Sequence, residues 1–171
     1  MKSITLPIVA FALFAASLPA QAQRPYPEGA APAAPLAVGD PLVRLYRISG
    51  VRDNGAGSEL GVATSFHCTS ASTVDETLRI VIRNFDGTVV GSRTITHHPQ
   101  DTATFSTHFT RIFTEDFQLS RGVIINQGSA EISATSTDIF CSAMIVNAAS
   151  SSPDGIALHM VRFNAAAGSQ E

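Results

Sequence analysis

The sequence predicts an all-β chain, an antiparallel β-sandwich with one short helix near residues 110 to 117, and three observations carry that expectation. From Leu42 onward, β-branched and apolar residues come in short runs separated by turn chemistry. Within those runs, apolar and polar positions alternate, which gives a strand one buried face. No segment holds the helical apolar period long enough for a long helix. Eight or nine short strands at this spacing suit a sandwich, with a flattened barrel as the alternative arrangement.

LVRLYRIS (42 to 49) opens the series and is followed by the loop RDNGAGS, with Asn54-Gly55 as its turn signal. GVATSFHCT, ETLRIVIRN, TVVGSRTITH and DTATFSTHF come next. In LRIVIR, Leu78, Ile80 and Ile82 point one way and Arg79 and Arg83 the other, with Val81 the one apolar residue on the polar side. Asn84-Phe85-Asp86-Gly87 predicts a hairpin turn, because Gly87 tolerates the positive φ required there. After Phe109 the apolar rhythm changes to three or four, with Phe109, Ile112, Phe113 and Phe117 apolar and Arg111, Glu115 and Asp116 polar. That rhythm behind Thr110 predicts one or two helical turns crossing an end of the sheets, their phenylalanines plugging the core. GVIINQ, a turn at Gln127-Gly128-Ser129, AEISATS and DIFCSAMIVN follow. The loop AASSSPDG then leads to a last strand, IALHMVRF (156 to 163).

The ends read differently. Lys2, the apolar run ITLPIVAFALFAASL and Ala20-Gln21-Ala22 have the form of a signal peptide over residues 1 to 22, cleaved after Ala22. The run is shorter than the ~20 residues a bilayer crossing needs, and no later segment is long and apolar enough to span a membrane as a helix. Gln23 and not a cysteine stands directly after the cleavage point, which argues against a lipid anchor. Residues 23 to 40, QRPYPEGAAPAAPLAVGD, are a proline- and alanine-rich tether ahead of a sandwich domain at 41 to 164, with a tail at 165 to 171. Export to the periplasm or beyond the cell is the expected location. Lys2 is the only lysine, so the mature chain sets ten arginines against fourteen acids, a formal charge of −4. That balance offers no broad basic face to nucleic acid and excludes Schiff-base chemistry on a lysine.

Cys68 shares a strand face with Val62, Thr64 and Phe66, and Cys141 with Ile139, Ala143 and Ile145. Both point inward by parity. Two cysteines in an exported chain pair by default. The expected Cys68–Cys141 disulfide joins the facing sheets and closes a long loop, worth about 4 kcal/mol in the chain-entropy model. The placement of one inward cysteine early and one late resembles immunoglobulin-like sandwiches, over roughly residues 42 to 163. The chain lacks that family's buried tryptophan, and Ile139 stands where its tyrosine would precede the second cysteine. The resemblance implies architecture and no functional residues. A cupredoxin-type copper site needs cysteine, histidine and methionine together on one loop; here Met144 follows Cys141 with no histidine between, and His159-Met160 lies too far along.

The remaining chemistry is sparse. His67, His97, His98, His108 and His159 each fall in or beside a strand, and adjacent His97 and His98 face opposite sides, against joint chelation. No GxSxG elbow, SxxK, phosphate loop or calcium loop occurs. Asp75-Glu76 and Glu115-Asp116 stand at element edges as solvated or capping acids. No catalytic residue, cofactor or metal ligand is assigned. The expected function is that of a non-enzymatic extracytoplasmic binding or envelope-associated module, its partner an unidentified protein or envelope component. Its binding residues are expected in the loops 50 to 59, 97 to 101 and 147 to 155. Two alternatives stand beside it: a small hydrolase using His67, His98 or His108 with a neighbouring acid, and a structural subunit assembling by strand addition at a threonine-rich edge.

Overall fold

A computed structural model describes residues 42–113, 116–120, 122–152 and 154–163; the signal peptide, tether and tail expected from the sequence lie outside them. The strands in chain order are β1 (Val43–Asp53), β2 (Val62–Ser70), β3 (Glu76–Arg83), β4 (Val89–His97), β5 (Thr102–Ser106), β6 (Asp116–Gln118), β7 (Ile125–Ala134), β8 (Ile139–Asn147), β9 (Gly155–Ala157) and β10 (Met160–Arg162). They form two five-stranded sheets, ordered β10-β1-β7-β3-β4 and β6-β5-β2-β8-β9, called sheet A and sheet B below. Every pairing is antiparallel except β5 with β6. The two sheets pack face to face as a β-sandwich.

Alternation creates the core. In β3, Leu78, Ile80 and Ile82 have no exposed surface while Arg79, Val81 and Arg83 are half-buried on the other side. Ile132 lies opposite Ile80 on β7, and Phe66 and Phe105 lie opposite each other in sheet B; all are fully buried. Each such side chain contributes roughly 1.5–3 kcal/mol of burial. The Asn84–Gly87 turn forms as expected, with Gly87 at φ +85° and the Asn84 amide donating to the Thr88 carbonyl at 2.9 Å.

The disulfide between Cys68 and Cys141 is present, but it does not join the facing sheets. The two cysteines are direct partners on neighbouring strands of sheet B, β2 and β8, with Cα atoms 4.1 Å apart. The bond staples two strands distant in sequence within one sheet, and the immunoglobulin-like cysteine arrangement is absent. The sheets are tied elsewhere: Tyr46 of β1 donates its hydroxyl proton to the Ile139 carbonyl of β8 at 3.2 Å, and the Arg52 amide donates to Thr64 Oγ1 at 2.8 Å.

Three element expectations are corrected. No helix occurs among the described residues; Thr110 donates its amide and hydroxyl to Asp116 Oδ2, both at 3.1 Å, and Asp116 to Gln118 runs as β6. The three-to-four rhythm has another cause, because Phe113 meets His67 while Phe117 packs on Phe105 and the core. The turn expected at 127 to 129 is the interior of β7. Gly128 serves close approach, since a Cβ there would stand 2.8 Å from the Arg83 carbonyl and 3.3 Å from that of Val51. The final strand divides into β9 in sheet B and β10 in sheet A, with Leu158 and His159 crossing between sheets.

Candidate functional site

Three connections meet at one end of the sandwich: 54–61 after β1, 107–113 after β5, and 148–150 after β8. Their junction is a buried ion pair. His108 Nδ1 lies 2.8 Å from Asp53 Oδ2, with 1% and 0% of the two side chains exposed. The other ring nitrogen, Nε2, lies 2.9 Å from the Leu60 carbonyl. Asp53 Oδ1 accepts the Gly55 amide at 2.7 Å. Burial works against the charge on His108, yet the hydrogen bond and charge of Asp53 outweigh it and raise its pKa. Burial likewise works against ionised Asp53, and the bonds from His108, Gly55 and Thr107 outweigh it, leaving its pKa lowered. Both shifts favour an ionised pair, with imidazolium donating from both nitrogens.

Backbone bonds complete the fastening. The Glu59 amide donates to the Phe109 carbonyl at 2.8 Å, the Ala148 amide to the Gly61 carbonyl at 2.7 Å, and the Arg111 amide to the Ala148 carbonyl at 2.9 Å. Asn54 Oδ1 accepts the Val62 amide at 3.0 Å, and Gly61 is needed there both for its φ of +69° and because a Cβ would clash with the Asn54 side chain. Glu59 itself holds φ +57°, a conformation that favours glycine. On this fixed frame Leu60 is 53% exposed and Phe109 41% exposed. Beside them a cavity of about 340 Å³ is lined by Glu59, Phe109, Arg111, Phe113 and Asp116. Glu59 and Arg111 face each other across 3.4 Å at its rim.

The histidines do not assemble into one centre. His108 has both nitrogens engaged, so no ring nitrogen is left to take a proton from a substrate. His67 lies on the outer face of sheet B, 3.2 Å from Thr104 Oγ1 and edge-on to Phe113, and burial lowers its pKa against the opposing charge of Asp116. His98 pairs with Asp75 at 2.9 Å on the surface, which raises its pKa, whereas neighbouring His97 is buried and its pKa lowered by that burial. The opposite placement of these two agrees with strand parity. His97, His98, Asp101 and Asp116 do line one cavity of about 370 Å³ beside Phe117. His159 is exposed between β9 and β10. Among the described residues no three His, Cys, Asp or Glu side chains converge as a metal site, and both cysteines are consumed by the disulfide.

Of the loops expected to carry binding residues, 50 to 59 lies largely at the fastened end and 147 to 155 contributes Ala148, while 97 to 101 borders the other cavity. The segment 107 to 113 was not among them. Its signal was present as Phe109 and Phe113 beside His108, but the helical rhythm masked it. The chain matches no protein-family model, no curated protein and no solved structure.

Proposed function

We propose that this chain is a non-enzymatic, extracytoplasmic recognition module that holds a protein or envelope component at the fastened end of its sandwich. One observation carries the reading: Leu60 and Phe109 stand exposed on loops that are tied together by the buried His108–Asp53 pair and by the Glu59–Phe109 backbone bond. A loop fixed before binding loses little conformational entropy on capture, and two apolar anchors beside a charged rim make an interaction hot spot. The partner that suits it offers a shallow apolar pocket with polar groups positioned for Glu59 and Arg111. The disulfide supports an oxidising compartment, and the signal-like N-terminus supports export.

The test is crosslinking in intact cells. The native chain is expected to yield one dominant adduct that the doubly substituted L60D/F109D chain loses while retaining the native unfolding midpoint; equal recovery of the adduct would refute the reading. Intact mass of the exported chain is expected to match cleavage after Ala22 with both thiols oxidised.

The hydrolase alternative is supported by the cavity where His98 and Asp101 lie near Asp116. It predicts hydrolysis of an ester or glycoside panel that H98A abolishes. The strand-addition alternative is supported by β4, a nine-residue edge strand with exposed Ser92, Thr94 and Thr96. It predicts oligomers that a proline at Thr94 prevents.

A further inference from the structure

The last strands leave a gap on one flank of the sandwich. β10 pairs with β1 only along Tyr46, Arg47 and Ile48, so from Ser49 to Asp53 that edge of β1 has no strand partner among the described residues. β9 pairs with β8 at Met144 to Val146, where Ile145 lies opposite Thr64 of β2. Thr64 in turn is bonded through its hydroxyl to the amide and the carbonyl of Arg52, both at 2.8 Å, which sets β9 at the level of the uncovered end of β1. Register puts Ile145 and Ile156 on the inner face of sheet B, in line with Ala143 and Leu158, which pack on the core. These two isoleucines lack a covering layer, for Ile156 is 70% exposed and Ile145 half-buried. The result is a cavity of about 300 Å³, walled by Val62, Ile145 and Ile156 and rimmed by Arg52, Asn54 and Asn126. Asp53 also borders it, but its carboxylate is committed to His108 and the Gly55 amide. Among the described residues, the side chains of Arg52 and Asn126 form no hydrogen bond or ion pair.

We propose that this cavity binds a medium-chain fatty carboxylate, its aliphatic body on Val62, Ile145 and Ile156 and its head group on Arg52. Three features choose that occupant. The walls are aliphatic and hold no aromatic ring, so they offer a chain its contacts and offer a base or sugar ring no face to stack on. One uncommitted guanidinium suits one monoanion, and its planar fork matches a carboxylate with two parallel donors, to which the Asn126 amide adds another. The volume lies at the small end of the roughly 300–1,000 Å³ of ligand pockets, enough for a single chain and too little for a two-chain lipid. Binding would also take Ile156 out of water, continuing a core that the strand order leaves open at this corner. The backbone of Arg52 is fixed by Thr64 without using the guanidinium, so the head-group donor is positioned and unspent.

Neither Leu60 nor Phe109 lines this cavity, so the two readings fail separately. Purified full-length chain is titrated by calorimetry with octanoate below its micelle-forming concentration, with octanol, octylamine and acetate as comparators. Octanoate is expected to bind at one saturable site, octanol and octylamine at least about tenfold more weakly, and acetate not at all. In methyl-labelled chain the signals of Ile145 and Ile156 are expected to shift on titration while that of Leu60 stays in place. R52A, folded by its unfolding midpoint, is expected to lose at least about tenfold in affinity for octanoate and none for octanol, a split that a merely structural role for Arg52 would not produce. I156D is expected to abolish binding, and L60D/F109D to bind as the native chain does. Should I156D fail to fold, I156A is expected to bind severalfold more weakly. Absence of octanoate binding overturns the proposal, as does R52A binding unchanged. So does octanol, octylamine or acetate bound as tightly as octanoate, or self-association that I156D abolishes, which would assign the cavity to a second copy of the chain.

Discussion

His108 and Asp53 give the clearest consequence at the scale of single residues. Removing one member leaves the other charge in a site with almost no solvent contact, so H108A is expected to cost about 3–5 kcal/mol in urea unfolding, far more than an exposed ion pair. The pair also sets a pH dependence. His108 has its pKa raised by Asp53, so its contribution is complete below the unfolded value of about 6.5 and fades as pH rises through the folded one. Asp53 has its pKa lowered, so its contribution is complete above about 3.9 and fades as pH falls through the folded value. Between those limits both act together. The native urea midpoint is expected to fall from mildly acidic to alkaline pH, and that slope is expected to flatten in D53N/H108Q. Nothing along the chain announces this contact: His108 lies 55 positions from Asp53 and 48 from Leu60, and neither separation has a periodicity that pattern reading detects.

Single elements show what strand periodicity tells and what it leaves out. In LRIVIR the alternation was legible because β3 has neighbours on both edges, one face on the core and one on solvent. Parity also put Cys68 and Cys141 on inward faces, but parity reports a face and not a sheet. Two inward residues adjacent in one sheet read the same as two on facing sheets, which is why the cross-link was expected in the wrong place. Phe113 meets His67 on one surface while Phe117 packs against Phe105 on another, and the resulting spacing imitates a helix. Gly128 imitates a turn because the same missing Cβ serves both purposes. G128V is therefore expected to destabilise the chain by about 1–3 kcal/mol in thermal or urea unfolding, since the displaced neighbours include the backbone carbonyl of Arg83 as well as the Ile125 side chain. C68A/C141A is expected to lose about 4 kcal/mol for a link across 73 positions while keeping its far-UV spectrum, because β2 and β8 remain register partners without it.

For the whole molecule, the topology places distant segments side by side. β1 lies between β7 and β10, and β2 between β5 and β8, so neither of the first two strands pairs with the other. Loop closure over such separations is slow, and refolding of the oxidised chain is expected on the millisecond-to-second scale in stopped-flow fluorescence or circular dichroism. A microsecond phase carrying the full amplitude would contradict that topology.

The crossing at Leu158 and His159 has a consequence for biosynthesis. A polypeptide made from its N-terminus presents β1 long before β10 exists to cover Tyr46, and presents β8 only shortly before β9 exists to cover Met144. Each sheet thus waits, one edge uncovered, for a short piece of chain that leaves the ribosome almost last, and both are completed together when it arrives. A ribosome stalled before residue 155 would hold a nascent chain whose two layers are both unfinished on the same flank.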